Sequence, residues 1–329
     1  MSARPEHRFE YSQDFRQRIV VLHRGKESWP NYNRYLRDHL GGADSRLAWF
    51  GTQLCPEIEY RCGVLEDKRV LDFGCGTGSA TVPLAMRAGH VCAFDVDQES
   101  LNICRRRIEE HGLREKVTFH CAPDVLEVDA RMGVFDLILI NGVLEHIPLS
   151  RLGLRRRTLR ALFSMLSAGG HLFIHDTPNR LWPIDFHSTQ LWWIPWMAPG
   201  SRLAYRLAVA RGRHTAAPTI SDGPLGLEEV GAWGCTYWEI TTSLRGMGFI
   251  CLNAVGGHDR RLHYSRDRRW KQTIFELLAY YPAVKLLRAP ITAFAPFLTN
   301  LVIQRSGSCA PQPCGQPMNQ SIGVRRQPS

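Results

Sequence analysis

From Arg69 onward, short apolar runs alternate with longer stretches in which apolar residues recur every three or four positions. The runs over 70–73, 91–96, 117–121, 135–140 and 171–174 are nearly continuous in Val, Ile, Leu and Phe, as strands covered on both faces are. Helical patterns over 80–88, 99–111 and 151–166 separate them. Strand and helix alternating at this rhythm predict an α/β fold built on a doubly wound, mostly parallel sheet. Before residue 66 the chain is polar and helical: Tyr32, Tyr35, Leu36 and Leu40 fall near helical spacing, and Gly41-Gly42 stops that helix. After Thr177 the rhythm breaks into a stretch rich in Pro and Trp. It resumes with a helix over 237–247, a strand over 248–255 and a last strand over 299–304. The predicted organisation is a helical extension over 1–66, a core over 67–177, an insertion over 178–234, completion of the sheet over 235–305 and a disordered tail over 306–329.

Composition narrows the class. Hydrophobic residues are 44% and charged residues 22% of 329, an ordinary globular balance that excludes a mainly disordered or fibrous chain. Ten Cys over this length are too sparse for a disulfide-stapled domain, and several sit in apolar runs (Cys92, Cys121, Cys251) as buried or free thiols would. Cys309 and Cys314 lie in the Pro/Gln/Ser-rich tail without a matching Cys/His pair, which argues against a zinc site there. The first residues are charged and lack an apolar signal core, and no apolar run reaches about 18 residues. A cytoplasmic protein, held peripherally at the inner membrane face if at all, is the expectation.

The segment Val70-Leu71-Asp72-Phe73-Gly74-Cys75-Gly76-Thr77-Gly78 carries the most chemistry. A buried strand runs into a G-x-G-x-G turn that leads to a helix, and glycine there lets a ligand approach the backbone without meeting a Cβ. A nucleoside triphosphate needs a Lys after the glycines, and none follows. A dinucleotide wants a third glycine where Ser79 stands. S-adenosylmethionine suits the loop, because it has no phosphate and Asp72 matches its cationic side. Asp95 ends the next strand about 20 residues on, where a carboxylate meets ribose hydroxyls.

With VLDFGCGTG, then FDVD, FDLILINGVLEHI and LSAGGHLFIHDTPN, the chain resembles the class I S-adenosylmethionine-dependent methyltransferases. The nearest group includes the ubiquinone-biosynthesis O-methyltransferases and many sugar and natural-product enzymes. The resemblance covers roughly residues 65–180 and implies strand order 3-2-1-4-5-7-6 with the last strand antiparallel. It implies that the loop (Asp72, Gly74, Cys75, Gly76, Gly78) holds the methionine end. It also implies that Asp95, with Val96 beside it, holds the ribose, that Asp124 lies near adenine, and that Asn141 lies near the transferred methyl. S-adenosyl-L-methionine is then the cofactor and a small-molecule or glycan-type acceptor the substrate, with methylation most readily at oxygen. An RNA or protein methyltransferase and a non-catalytic module that binds the same cofactor are the alternatives.

A hydroxyl acceptor benefits from a general base. His146, in Val143-Leu144-Glu145-His146-Ile147, and His175, at a strand's carboxyl end, are the candidates. Asp176 and Asn179 alone do not make a hard-metal site, and no metal is expected. The run after residue 177 places Asn179, Arg180, Trp182, Asp185 and His187 together. Planar rings mixed with hydrogen-bonding groups suit a sugar or polyol. A packed lid, with Asp185 capping a turn, is the alternative. The aromatic run Leu191-Trp192-Trp193-Ile194-Pro195-Trp196-Met197, followed by Arg202, Arg206, Arg211 and Arg213, suits a membrane interface over 191–213, but a buried core helix with solvated arginines is the favoured reading. The net charge of +10 is moderate and no RNA-binding signature is present, so nucleic acid is disfavoured as a partner.

Overall fold

The sheet follows from the apolar runs. In a computed structural model, which describes residues 11–22, 32–42, 45–122, 132–147, 153–187, 189–198, 201–211, 234–254, 278 and 286–307, strands β1 (Arg69–Phe73), β2 (His90–Asp95), β3 (Val117–Cys121), β4 (Phe135–Asn141) and β5 (Leu166–His175) pair in parallel. β6 (Thr177–Pro178), β7 (Phe249–Cys251), β8 (Phe297–Leu298) and β9 (Leu301–Arg305) complete the set. The main sheet has the order β3-β2-β1-β4-β5-β9-β7, with β9 antiparallel to both its neighbours. β6 and β8 form a separate two-stranded ladder. With those two set aside, the seven strands follow the order the resemblance implies.

Both faces of the inner strands are covered, which is why β1, β2, β4 and β5 are largely apolar, whereas the edge strand β3 is mostly exposed. Val70, Val91, Ala93, Leu137, Leu139 and Phe173 pack on one side with α1 (Gln13–Leu22), α3 (Arg46–Trp49), α4 (Cys55–Cys62), α5 (Thr81–Ala85) and α6 (Gln98–Glu110). α2 (Tyr32–Leu40) adds Leu36 and Leu40 to that side. Leu71, Phe94, Ile138, Ile140, Leu172 and Ile174 pack on the other with α7 (Leu154–Ser164) and α9 (Tyr237–Ser243). Side-chain caps set several helix starts. Asp97 accepts from Glu99 N and Ser100 N at α6, Thr236 accepts from Glu239 N at α9, and Ser45 accepts from Ala48 N at α3.

Several boundaries differ from the expectations, each for a local reason. β5 begins at Leu166, five residues early, because Leu166 pairs with Phe135 before a register shift in β4. β7 stops at Cys251 because Asn253 turns its side chain to β9 and its approach, donating to Asn300 O and accepting from Val302 N. The helix after the glycine loop is only Thr81–Ala85, so the loop's own backbone, and not a long helix dipole, meets the cleft. The buried-helix reading of 191–197 is overturned. Trp192, Trp193 and Trp196 are more than half exposed, and the segment turns through the short 3-10 helix Ile194–Trp196. α8 (Arg202–Ala210) follows, burying Ala204 and Ala208 and exposing Leu203. The eight described cysteines are free, and of them only Cys121 is exposed. The expected disorder from Ser306 and the Cys309/Cys314 pair fall almost wholly outside the described residues.

Candidate functional site

The strand order reverses direction between β1 and β4, and at such a switch point a crevice opens beyond the strands' carboxyl ends. A cleft of about 440 Å³ lies there. Asp72, Gly74, Cys75, Gly76 and Thr77 line it from β1 and its loop, Asn141, Gly142 and His146 from β4 and beyond, and Asp97, Glu99 and Ser100 from the start of α6. A larger groove of about 920 Å³ runs between α1 and α6, away from the strand ends, with charges of both signs along it.

The three loop glycines do different things. A Cβ on Gly74 would stand 2.5 Å from Val143 Cγ2, and one on Gly78 would stand 2.5 Å from Cys104 Sγ, so both permit close packing. Gly76, at φ +52°, has open space where a Cβ would be, and its N–H donates to Asp95 Oδ2 at 2.7 Å. Asp95 Oδ1 accepts from Asp97 N at 3.0 Å. Asp95 therefore braces the loop between Gly76 and Asp97. Val96, just after the strand, is exposed. Asp72 is buried and accepts from the Thr81 hydroxyl at 2.7 Å. Burial pushes its carboxyl up to about 6, the Thr81 bond opposes this, and the Asp95 charge adds to it.

The cleft's polar lining fits a ligand with an amino-acid end. Among the described residues Asn141 Oδ1 and Ser79 Oγ are buried at its wall with no hydrogen-bond partner. Buried polar atoms are ordinarily paired, and such a ligand supplies N–H and carboxylate groups to pair them. Asp72 adds the anionic charge that an ammonium needs. Asp124 lies outside the described residues.

The helical extension contributes lining that the chain's spacing does not announce. His39, Arg46 and Phe50 close one side of the cleft. His39 Nδ1 sits 3.0 Å from Thr77 Oγ1. The wholly buried Arg107 of α6 ties the parts together: it donates to Thr77 O at 2.8 Å, Tyr11 Oη at 3.0 Å and His39 O at 3.2 Å. Its guanidinium lies 4.9 Å from the ring centroids of both Tyr11 and Phe15.

At the far end of the cleft the two candidate histidines part. His146 lines it. His175 does not: it is buried, its Nδ1 lies 2.7 Å from Asn300 Oδ1, and its ring packs against Trp49 at 5.6 Å. The expectation that His175 faces the acceptor is corrected by that enclosure. Next to it Asp176 takes φ 52°, a strained backbone at the strand's end. Glu145 is buried beside His146, and its Oε1 is 4.0 Å from His146 Nε2 and 3.8 Å from His187 Nε2. Burial pushes the Glu145 carboxyl up to about 8, and Asp176 pushes the same way. Burial, then the His187 charge, lowers the affinity of His146 for a proton.

The residues expected to read the acceptor separate in the same way. Asn179 is a structural bracket: its Nδ2 donates to Ala293 O and Ala295 O, and its Oδ1 accepts from Leu181 N. Asp185 caps a turn, accepting from His187 N, Thr189 N and the Thr189 hydroxyl. Both corrections have one cause, since buried side chains satisfied by nearby backbone have no capacity to read a substrate. Arg180 donates to Pro195 O at 3.1 Å, pinning the Trp-rich turn, and Trp182 is half-buried. Of the five, His187 stands against Glu145 and His146, at a ring separation of 5.7 Å from His146.

A family profile described as a methyltransferase domain matches residues 70–170. A ubiquinone biosynthesis O-methyltransferase of Bordetella pertussis is 30% identical over 204 residues, covering 60% of this chain and 73% of that protein. Its counterpart from Marinobacter nauticus is 33% identical over 120 residues, 35% of this chain and 46% of that protein, so the chain spans about half of that relative's length. An S-adenosylmethionine-dependent methyltransferase of known structure from Clostridium acetobutylicum aligns with a TM-score of 0.37 at 22% identity, covering 46% of this chain and 58% of that one.

Proposed function

Because the chain belongs to the class I S-adenosylmethionine-dependent methyltransferases, we propose that it moves the donor's methyl group to a hydroxyl oxygen of a small-molecule or glycan-type acceptor. The observation that carries this reading is the pairing of buried Asp72 with the unpartnered Asn141 Oδ1 at the switch-point cleft. When bound, the donor would supply a methyl carbon on a cationic sulfur; the acceptor oxygen's lone pair would form the new carbon–oxygen bond as the carbon–sulfur pair went to sulfur and the hydroxyl proton to water. Asp72 and Asn141 take the donor's ammonium, and the Cβ-free face of Gly76 admits its approach. Asp95 keeps the loop in place and offers its remaining lone pairs to ribose hydroxyls. His39, Arg46 and Phe50 shield the cleft from water, and much of the rate comes from holding the two reactants in line. His146 and His187 mark the acceptor's end. Curated relatives named as O-methyltransferases support oxygen as the methylated atom.

Calorimetric titration with S-adenosylhomocysteine, with NADH as the comparison, tests the donor assignment. Micromolar binding of the first alone is expected; no binding by well-folded protein overturns it. Asp95→Ala is expected to weaken S-adenosylhomocysteine at least tenfold, about 1.4 kcal/mol. Unchanged affinity in that variant removes Asp95 from the ribose site.

An acceptor presented at a lipid surface accords with the exposed face of the insertion. Trp192, Trp193, Trp196 and Leu203 are exposed there, with Arg202 and Arg206 on α8 beside them. Among the described residues no helix is long and apolar enough to cross a membrane. Sedimentation with anionic vesicles is expected to carry the protein down, and a Trp193→Ala/Trp196→Ala double variant to leave most of it in solution. Equal sedimentation of both proteins rejects this face.

A further inference from the structure

A hydrogen-bonded chain runs beneath the glycine loop and ends on the cleft's carboxylate. The Cys104 thiol of α6 donates to Thr81 Oγ1 at 3.6 Å, and the Thr81 hydroxyl of α5 donates to Asp72 Oδ2 at 2.7 Å. Cys104 and Thr81 are wholly buried, and Asp72 is nearly so. The Cys75 thiol, in the cleft wall, meets the Cys104 thiol. A hydroxyl has one proton to give and lone pairs that accept, so a thiol donating to its oxygen commits that proton to the carboxylate. Gly78 makes room for the chain: a Cβ there would stand 2.5 Å from Cys104 Sγ and 3.2 Å from Cys104 Cα. Two helices thus act on one oxygen of a strand-end carboxylate.

We propose that Thr81 and Cys104 are positioning residues for the methyl donor: the thiol sets the Thr81 hydroxyl, which holds one Asp72 oxygen and leaves the other for the donor's ammonium. The inference rests on the reading of Asp72 as the ammonium's partner. Holding one oxygen fixes the plane of the carboxylate, and a hydrogen bond to the ionised form favours that form. The surroundings otherwise work against ionisation. Burial pushes the Asp72 carboxyl up, Thr81 pulls it down, and the Asp95 charge from β2 adds to burial. The neighbouring thiols stay neutral. Burial pushes Cys55 of α4 up to about 12 and Cys92 of β2 up to about 11, and the Cys104 contact, then burial, pushes Cys75 up. His39 and Arg46 from the extension, Asp97 and Glu99 from the start of α6, and His146 share the cleft's lining with Asp72.

A pH profile separates this role from packing. A hydroxyl that only fills space costs the same factor in donor affinity at every pH when it is removed. A hydroxyl that keeps the carboxylate ionised costs most at low pH, where a proton competes with the ammonium, and little once the carboxyl is ionised without help.

The test is calorimetric titration of the full chain with S-adenosylhomocysteine between pH 5 and pH 8. Thr81→Val keeps the shape of threonine without its hydroxyl. Its affinity midpoint is expected near pH 7 against about 6 in wild type, since a hydrogen bond to a charged group is worth about tenfold in the ionisation equilibrium. Its deficit against wild type is then about tenfold at pH 5 and less than about twofold at pH 8. Thr81→Ser keeps the hydroxyl and is expected within about twofold of wild type throughout, and Cys104→Ala is expected to lose about threefold at pH 5. A wild-type profile in Thr81→Val overturns the proposal, as does a deficit equal at every pH or a Thr81→Ser variant as weak as Thr81→Val. A wild-type profile in Cys104→Ala overturns the thiol's part in it. Asp72→Asn keeps the failures apart. If that variant loses the pH response while Thr81→Val leaves it unmoved, this inference falls alone; if Asp72→Asn keeps the wild-type response, the ammonium assignment falls and takes this inference with it.

Discussion

Arg107→Ala is expected to lower the free energy of unfolding by about 3–5 kcal/mol, read as a shift in the urea midpoint. The wild-type guanidinium is wholly buried and donates to Thr77 O, His39 O and Tyr11 Oη. Two of those acceptors are backbone carbonyls, which no side-chain rotation can re-pair once the donor is gone. Truncation also leaves a void between Tyr11 and Phe15, whose rings face the guanidinium at 4.9 Å. The damage should reach function as well as stability, because Thr77 belongs to the glycine loop and His39 to the cleft wall. S-adenosylhomocysteine affinity should therefore fall in the same variant under conditions where it stays folded. Arg107→Lys separates charge from shape. A lysine keeps the positive charge but has no planar fork, so it recovers only part of the loss. A change below about 1 kcal/mol in Arg107→Ala would mean that the helical extension is held to the core by its apolar contacts alone.

That link shows where the chain's own pattern stops being informative. The inner strands β1, β2, β4 and β5 are readable because they are covered on both faces and so carry nearly continuous apolar runs. The glycine loop is readable because its glycines, the acidic residue before them and Asp95 fall at local spacings dictated by one strand-turn-helix unit. Arg107 is different. It sits in a helix with Arg105 and Arg106 beside it, and no spacing distinguishes the one that turns inward to Tyr11, 96 residues away. The same holds for the cluster of Glu145, His146 and His187. Glu145 and His146 are adjacent in the chain, but His187 reaches them only because the insertion folds back, and that return is set by the Asp185 turn and the Ile184–Trp192 bridge. Proximity to chemistry along the chain also misleads. Asn179 follows β6 directly, yet its amide is spent on Ala293 O and Ala295 O, partners more than a hundred residues on. His175 ends β5 where a ligand group is expected, yet Asn300 and Trp49 enclose it.

The other large effect is a pH dependence of donor binding that Asp72→Asn removes. Burial raises the Asp72 carboxyl to about 6 from an ordinary 3.8, so the chain without a ligand favours the protonated form there. The sign follows directly. Asp72's own contribution to folded stability is fully present below pH 3.8 and is lost as the pH rises through about 6. A cationic ammonium in the cleft acts in the opposite sense, because it pairs only with the ionised carboxylate, so binding must release a proton when the pH is below about 6. The ionised fraction of such a group falls from about nine-tenths at pH 7 to about one-tenth at pH 5, and S-adenosylhomocysteine should bind about tenfold more weakly at the lower pH. In Asp72→Asn the side chain still accepts from the Thr81 hydroxyl, and its neutrality suits burial, so thermal stability at pH 8 should hold or rise. Affinity at pH 8 should drop about thirtyfold, roughly 2 kcal/mol for the loss of a charged hydrogen bond, and should no longer respond to pH between 5 and 7. Calorimetry in two buffers of different ionisation enthalpy would report the proton released at pH 5.5 by wild type and its absence in the variant. A variant that keeps wild-type affinity at pH 8, or keeps the pH slope, would take the ammonium away from Asp72 and leave Asn141 and the loop backbone to hold the donor's amino-acid end.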